Sequence, residues 1–204
     1  MKEVVQLFDL PQILRHNARF DVDKLHWINS EYIRLMPQAR FNGFSARALA
    51  RDGIKVEAFP PDYVNAAFET CKEKVKQFLD ADVLRTKHEK KHIATAPVFS
   101  DFYFVEEIQI EEASRKDLTG ENGRIMQAVR NALAAQNDFR ADPVGETIKK
   151  TATDLGQKPG AVVHPTRLAC TGRTVGPSLY HLMEVLGRDR VLARIDRFIA
   201  QCLR

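Results

Sequence analysis

No apolar run in this chain approaches the roughly 20 residues that a membrane-spanning helix needs. The opening MKEVVQLFDL carries acids and has no long apolar centre, which reads against a secretory signal. Cysteine is scarce: Cys71, Cys170 and Cys202 lie far apart with no C-x-x-C spacing. An odd number without metal-like spacing points to reduced thiols and a cytoplasmic setting. There is no Walker-type loop and no βαβ pattern, hence no sign of a nucleotide-binding sheet. Fixed-period repeats, low-complexity tracts and Gly/Ser linkers are also lacking. The histidines and carboxylates show no metal-ligand or acid–base spacing, so no catalytic residue, metal ligand or cofactor is assigned to this chain. His164, just before Pro165, reads as a structural hydrogen-bonding group rather than a base.

What is present suits a water-soluble globular fold. The 204 residues can bury a real core, with 44% hydrophobic and 28% charged side chains. The formal net charge of +4 is modest, but its distribution is uneven. Residues 85–92 (RTKHEKKH) hold four basic side chains against one acid, and residues 158–204 hold eight against three. Between them, residues 106–121 carry six acids against two bases. A polyanion would be drawn to part of this surface and repelled from the rest.

Helical periodicity dominates. Asp9 and Pro11 read as a helix start, and Asp21 as the N-cap of a helix whose apolar face is Leu25, Ile28, Tyr32 and Leu35, stopped by Pro37. Trp27 reads as a packing anchor rather than a stacking platform. Pro60-Pro61-Asp62 opens a long stripe of Val64, Ala67, Phe68, Cys71, Val75, Phe78 and Leu79. The segment 101–110 (DFYFVEEIQI) is ambiguous between a short strand and a buried helix, with Phe102, Tyr103 and Phe104 assigned to the core. Ile125, Met126, Val129 and Leu133 predict one helix; Val144, Ile148, Ala152 and Leu155 predict the next, ended by Gly156. The last helices are predicted over 177–186 and about 189–203. The class is all-α.

The most informative stretch is 158–194, KPGAVVHPTRLACTGRTVGPSLYHLMEVLGRDRVLAR. Arg167 follows Pro165, Thr171-Gly172 breaks the chain, and Gly176-Pro177-Ser178 opens an apolar helix that stops at Gly187. Exposed N–H groups at a helix start beside a fixed guanidinium form a receptor for anionic or polar edges. A second stretch, 20–34, reads FDVDKLHWINSEYIR. The first resembles the end of the C-terminal region of bacterial-type glutamate–tRNA ligases. The second resembles a segment after the catalytic core of those enzymes, in its Phe20, Asp21, Lys24, Leu25, Trp27, Asn29, Tyr32 and Ile33. The two occur in family order and together cover about a quarter of the chain. The class I signatures resembling His-Ile-Gly-His and Lys-Met-Ser-Lys-Ser are absent.

The resemblance implies a helical anticodon-binding cage of two small subdomains: 1–55 as the end of the stem-contact region, 56–118 as the first subdomain and 119–204 as the second. It implies the C-terminal piece of a longer synthetase, catalytically silent alone, with ATP and magnesium belonging to the other half. The partner would be a glutamate-accepting tRNA, and the chain a cytoplasmic monomer with no membrane role. By the same resemblance Arg167 donates to a base edge or phosphate, and Gly176, Pro177, Ser178 and Leu179 lie against the anticodon, with Leu179 packing on a base. Unstacked loop bases can be read on their edges while phosphates are held by basic groups. Lys90 and Lys91 fall near a second anticodon-reading region, where many members have an arginine. Lysine is a point charge without the planar fork, so acceptance of glutamine tRNA stays open. Lys24, Asn29 and Arg34 are placed at the tRNA stem. Alternatives are a free-standing RNA- or protein-binding module on the same scaffold, the anticodon region of a class I lysine–tRNA ligase, and a small all-α enzyme with an unrecognised site.

Overall fold

The computed structural model describes residues 21–76, 78 and 99–203. Among the described residues every regular element is helical. They are α1 (Val22–Leu35), α2 (Gln38–Arg51), α3 (Pro61–Cys71), α4 (Gly120–Ala134), α5 (Ala141–Asp154), α6 (Pro159–Thr171), α7 (Leu179–Leu186) and α8 (Arg188–Cys202), with short 3-10 turns at Val56–Ala58, Asp101–Tyr103 and Glu112–Asp117. The all-α expectation holds. The Asp9–Pro11 helix start, Leu79 and the basic run containing Arg85, Lys87, Lys90 and Lys91 lie outside the described residues.

Local chemistry sets the helix ends. Asp21 caps α1, its carboxylate accepting the Lys24 amide at 3.0 Å, as the sequence predicts. Pro37 separates α1 from α2, Pro61 occupies the first turn of α3, and the Thr119 hydroxyl accepts the Asn122 amide at the start of α4. Helix α4 buries Ile125, Met126, Val129 and Leu133 and packs on α8; α5 buries Val144, Ile148 and Ala152. At Gly145 an added Cβ would stand 2.9 Å from the Tyr180 ring, so α5 and α7 meet at closer range than any side chain allows.

Several expectations are corrected. On α1 the predicted apolar face points away from the body: Ile28, Tyr32 and Leu35 are exposed, and the residues that α1 buries are His26 and Ile33. Periodicity identifies an apolar face but not which side the rest of the chain covers. Trp27 is 63% exposed and anchors no packing among the described residues. Helix α3 stops at Cys71, before the stripe ends, and Val75 reaches the core from the turn beyond it. Leu155 lies just past α5 and is exposed.

The segment 101–110 is neither strand nor long helix. A 3-10 turn buries Phe102 and Tyr103, Phe104 is buried beside them, and irregular backbone follows. Three consecutive buried aromatics fit neither a two-residue nor a 3.6-residue period. Their backbone is satisfied by arginine: buried Arg194 donates to the carbonyls of Phe102, Val105 and Cys170, and Arg190 donates to the Tyr103 carbonyl and the Tyr63 hydroxyl. Phe59 stacks on Tyr63, and the rings of Phe41 on Phe68 and of Phe59, Tyr63 and Phe68 on Phe104 meet edge-on or tilted, joining α2 and α3 to this segment.

Candidate nucleic-acid interface

Helix α6 ends at Gly172, whose φ of 74° is the left-handed conformation that glycine adopts freely. The space matters as much as the angle. A Cβ there would stand 2.2 Å from the Gln109 carbonyl oxygen. The Glu111 amide donates to the Gly172 carbonyl at 3.0 Å, pinning the end of α6 against 108–111. Thr171 Oγ1 donates to the Arg167 carbonyl at 2.9 Å and accepts the Arg173 amide at 3.2 Å. The Arg173 fork grips Asp101 with two bonds of 2.6 Å and reaches Glu111 at 3.2 Å. These ties hold the start of the loop 172–178, an arm that leads into α7, against residues 101–111.

Arg167 lies under that arm. Its Nη1 donates to the Pro177 carbonyl at 2.7 Å, and a Cβ on Gly176 would stand 3.1 Å from the same nitrogen. Burial pulls the guanidinium below its ordinary pKa, yet no carboxylate lies within ion-pair distance among the described residues. The group is a half-buried cation, fixed by one carbonyl, with further N–H donors left over. Ser178 is exposed, and its hydroxyl sits 2.9 Å from His181 Nδ1. Leu179 is 4% exposed and belongs to the core, so it presents backbone rather than a side chain for base packing. Helix α7 starts at Leu179 with Ser178 as its cap residue; Pro177 precedes the helix instead of opening it, because its carbonyl is committed to Arg167.

Two clefts border this arm. One, of about 980 Å³, is lined by His164 and Leu168 of α6, by Thr174 and Val175, and opposite by Lys116 and Asn122 together with the acids Glu111, Asp117 and Glu121; Arg167 is not among its lining residues. His164 is exposed and makes no hydrogen bond among the described residues, so it is not the structural hydrogen-bonding group expected of it. The second cleft, of about 690 Å³, brings Ser178 and His181, at the start of α7, together with Arg34, Gln38 and Lys72 and with the acids Glu69, Glu73 and Glu184.

The three predicted stem residues differ in availability. Lys24 is exposed, Arg34 pairs with Glu31 at 2.7 Å, and the Asn29 amide donates to the Lys76 carbonyl. Arg34 and Ser178, predicted for separate tasks, share the second cleft. Lys90 and Lys91 lie outside the described residues. Sequence reasoning missed Arg173 and its partner Asp101. They are 72 positions apart, and no local pattern pairs them.

Comparison with known proteins places these features in context. The family described as an anticodon binding domain matches residues 48–199. The chain is 32% identical over 202 residues to the glutamate–tRNA ligase of Methylacidiphilum infernorum, covering 98% of this chain and 42% of that protein. It is 29% identical over 197 residues to glutamate–tRNA ligase 2 of Caldicellulosiruptor saccharolyticus, covering 97% of this chain and 38% of the relative. The crystal structure of a glutamate tRNA ligase from Elizabethkingia meningosepticum superimposes with a TM-score of 0.71 at 24% identity, covering 98% of this chain and 36% of that one. The likeness to that structure speaks for the fold. The chain spans less than half the length of these relatives.

Proposed function

The chain belongs to the anticodon binding domain family, and from that premise we propose that it reads the anticodon of a glutamate-accepting tRNA as the C-terminal part of a glutamate–tRNA ligase. The observation that carries this reading is Arg167: a half-buried guanidinium without a carboxylate partner among the described residues, fixed on the Pro177 carbonyl at the base of the arm that leads into α7. Such a group donates to a base edge or a phosphate without first breaking an ion pair, and its orientation is set before RNA arrives. Gly176 and Pro177 shape the arm, Ser178 offers a hydroxyl, and the first amides of α7 face the same end of the helix.

The rest of the reading extends from this site. Lys24, Asn29 and Arg34 are assigned to the tRNA stem, with Lys24 the least committed to protein partners. Lys90 and Lys91 are assigned to the last anticodon base. Because a lysine gives that base no bidentate fork, acceptance of glutamine tRNA is part of the proposal. Attachment of glutamate to tRNA, with ATP and magnesium, is assigned to the portion of a ligase beyond the span matched here. The stem-contact part and two anticodon subdomains (1–55, 56–118 and 119–204), a monomeric state and a cytoplasmic location belong to the same proposal. No helix among the described residues is long and apolar enough to cross a membrane.

The test is equilibrium binding of this chain to glutamate tRNA and to the same tRNA with its last anticodon base changed, at two salt concentrations. Tighter binding of the unaltered anticodon, weakened by salt, supports the reading. Indifference to the anticodon contradicts it.

A further inference from the structure

Helix α2 carries three arginines and no acid over its 14 residues, QARFNGFSARALAR. Arg40, Arg47 and Arg51 stand at intervals of seven and four residues, a spacing that puts them on one stripe. Phe44 falls in the same row. All three arginines are exposed, whereas the buried side of the helix is Phe41, Ser45, Ala48 and Leu49. The Arg40 and Arg47 guanidiniums lie over the Phe44 ring, 5.6 and 4.7 Å from its centroid, and that ring stacks on Phe78 at 4.9 Å.

None of the three has a carboxylate within ion-pair distance among the described residues. Elsewhere on this surface Arg34, Arg115, Arg130 and Arg140 each lie against one. The nearest acid in sequence is Asp52, past the end of α2, and it makes no ion pair with Arg51. A cation–π contact orients a guanidinium without consuming its N–H donors. The result is a row of charges about 16 Å long along the helix axis, in which Arg40 and Arg47 are oriented by the ring and all three remain able to donate. Its chemistry complements a string of phosphates rather than a single anion. The first turn of α2 also reaches the site described above: Gln38 lines the cleft that holds Ser178.

We propose that the ridge Arg40–Phe44–Arg47–Arg51 is a second RNA contact, one that grips backbone phosphates of the tRNA outside the anticodon without reading sequence. This rests on the tRNA-binding reading above and adds a surface to it. Phosphate contacts position the RNA and base contacts specify it, so the ridge supplies affinity to cognate and altered anticodons alike.

The experiment measures the affinity of glutamate tRNA, intact and anticodon-altered, for the wild-type chain, for R40Q/R47Q/R51Q and for R40K/R47K/R51K from 50 to 300 mM potassium chloride. Each neutralised phosphate adds roughly 0.7 to 0.9 to the slope of log affinity against log salt. The Gln variant is expected to lose about two units of slope and to weaken both RNAs by the same factor. The Lys variant keeps the slope, because counterion release counts charges. Circular dichroism checks that both variants fold. An unchanged slope in the Gln variant overturns the ridge. If the wild-type anticodon preference persists in that case, the anticodon reading stands without it. Anticodon-indifferent binding that still loses slope in the Gln variant keeps the ridge and overturns the anticodon reading. Absence of RNA binding by the wild-type chain overturns both. Ridge-dependent binding to phosphatidylcholine vesicles containing phosphatidylserine, with the tRNA slope unchanged, reassigns the ridge to a membrane surface and overturns the proposal.

Discussion

Arg167 Nη1 and the Pro177 carbonyl oxygen are 2.7 Å apart, and that bond joins the last turns of α6 to the chain two residues before α7 begins. Gly176 makes the approach feasible, since a Cβ at that position would come within 3.1 Å of the same nitrogen. The arginine is thus both a strut of the arm and its only link to α6 through a side-chain cation among the described residues. Truncating it releases the arm, whereas lysine keeps a charge without the planar fork.

Gly172 tests how the arm is anchored. Gly172→Ala combines a φ of 74° with a Cβ placed 2.2 Å from the Gln109 oxygen. Gly53→Ala shares the positive φ, at 80°, but has nothing within 4 Å. Urea denaturation should give a loss of roughly 3 kcal/mol or more for Gly172→Ala and about 1 kcal/mol for Gly53→Ala. Equal losses would mean that backbone conformation alone is felt and that 108–111 yields at no cost.

The thiols should separate by burial. Burial pushes both Cys71 and Cys170 up to about 12, the effect being offset only in part by Thr70 at the first and by Arg194 and Arg167 at the second. Cys202 is also raised by burial, but it is partly accessible. A thiol reagent at pH 8 should label Cys202 in the folded chain and reach the other two only on denaturation. Because the folded-state values lie above those of the unfolded chain, the folded state holds these protons longer. Stability is therefore fully present below about pH 9 and falls progressively toward pH 12. Rapid labelling of all three thiols in the native chain would contradict the packing.

Trp27 is the only tryptophan and is 63% exposed on α1. Its emission should lie at the long-wavelength, water-exposed end and be quenched readily by iodide. Blue-shifted, protected emission from the isolated chain at low concentration would show that α1 packs through the face seen here in solvent.

Much of this architecture was legible in the sequence because its signals are local. Asp21, Pro37, Pro61 and Thr171-Gly172 mark helix ends through backbone chemistry confined to a few residues. Ile125, Met126, Val129 and Leu133 recur at a spacing only a helix satisfies. What escaped depends on partners distant in the chain. Leu25, Ile28, Tyr32 and Leu35 form a genuine apolar face, but the body of the protein lies against His26 and Ile33 instead. The path of 101–110 is set by Arg194, about 90 residues later, which takes up the carbonyls at 102 and 105. At the candidate site, the family-like spacing located Arg167 and Gly176, whereas the burial of Leu179 and the strut to Pro177 required three dimensions.

The central claim is that Arg167 takes part in reading an anticodon, and a double-mutant cycle measures it most directly. One arm replaces Arg167 by Ala, with Arg167→Lys beside it; the other changes one anticodon base of glutamate tRNA at a time, and binding is read at fixed salt. The account predicts a coupling of about 1 to 3 kcal/mol at one anticodon position, with the Lys variant also impaired because it lacks the fork. Coupling near zero at every anticodon position, in variants that remain folded, would contradict it.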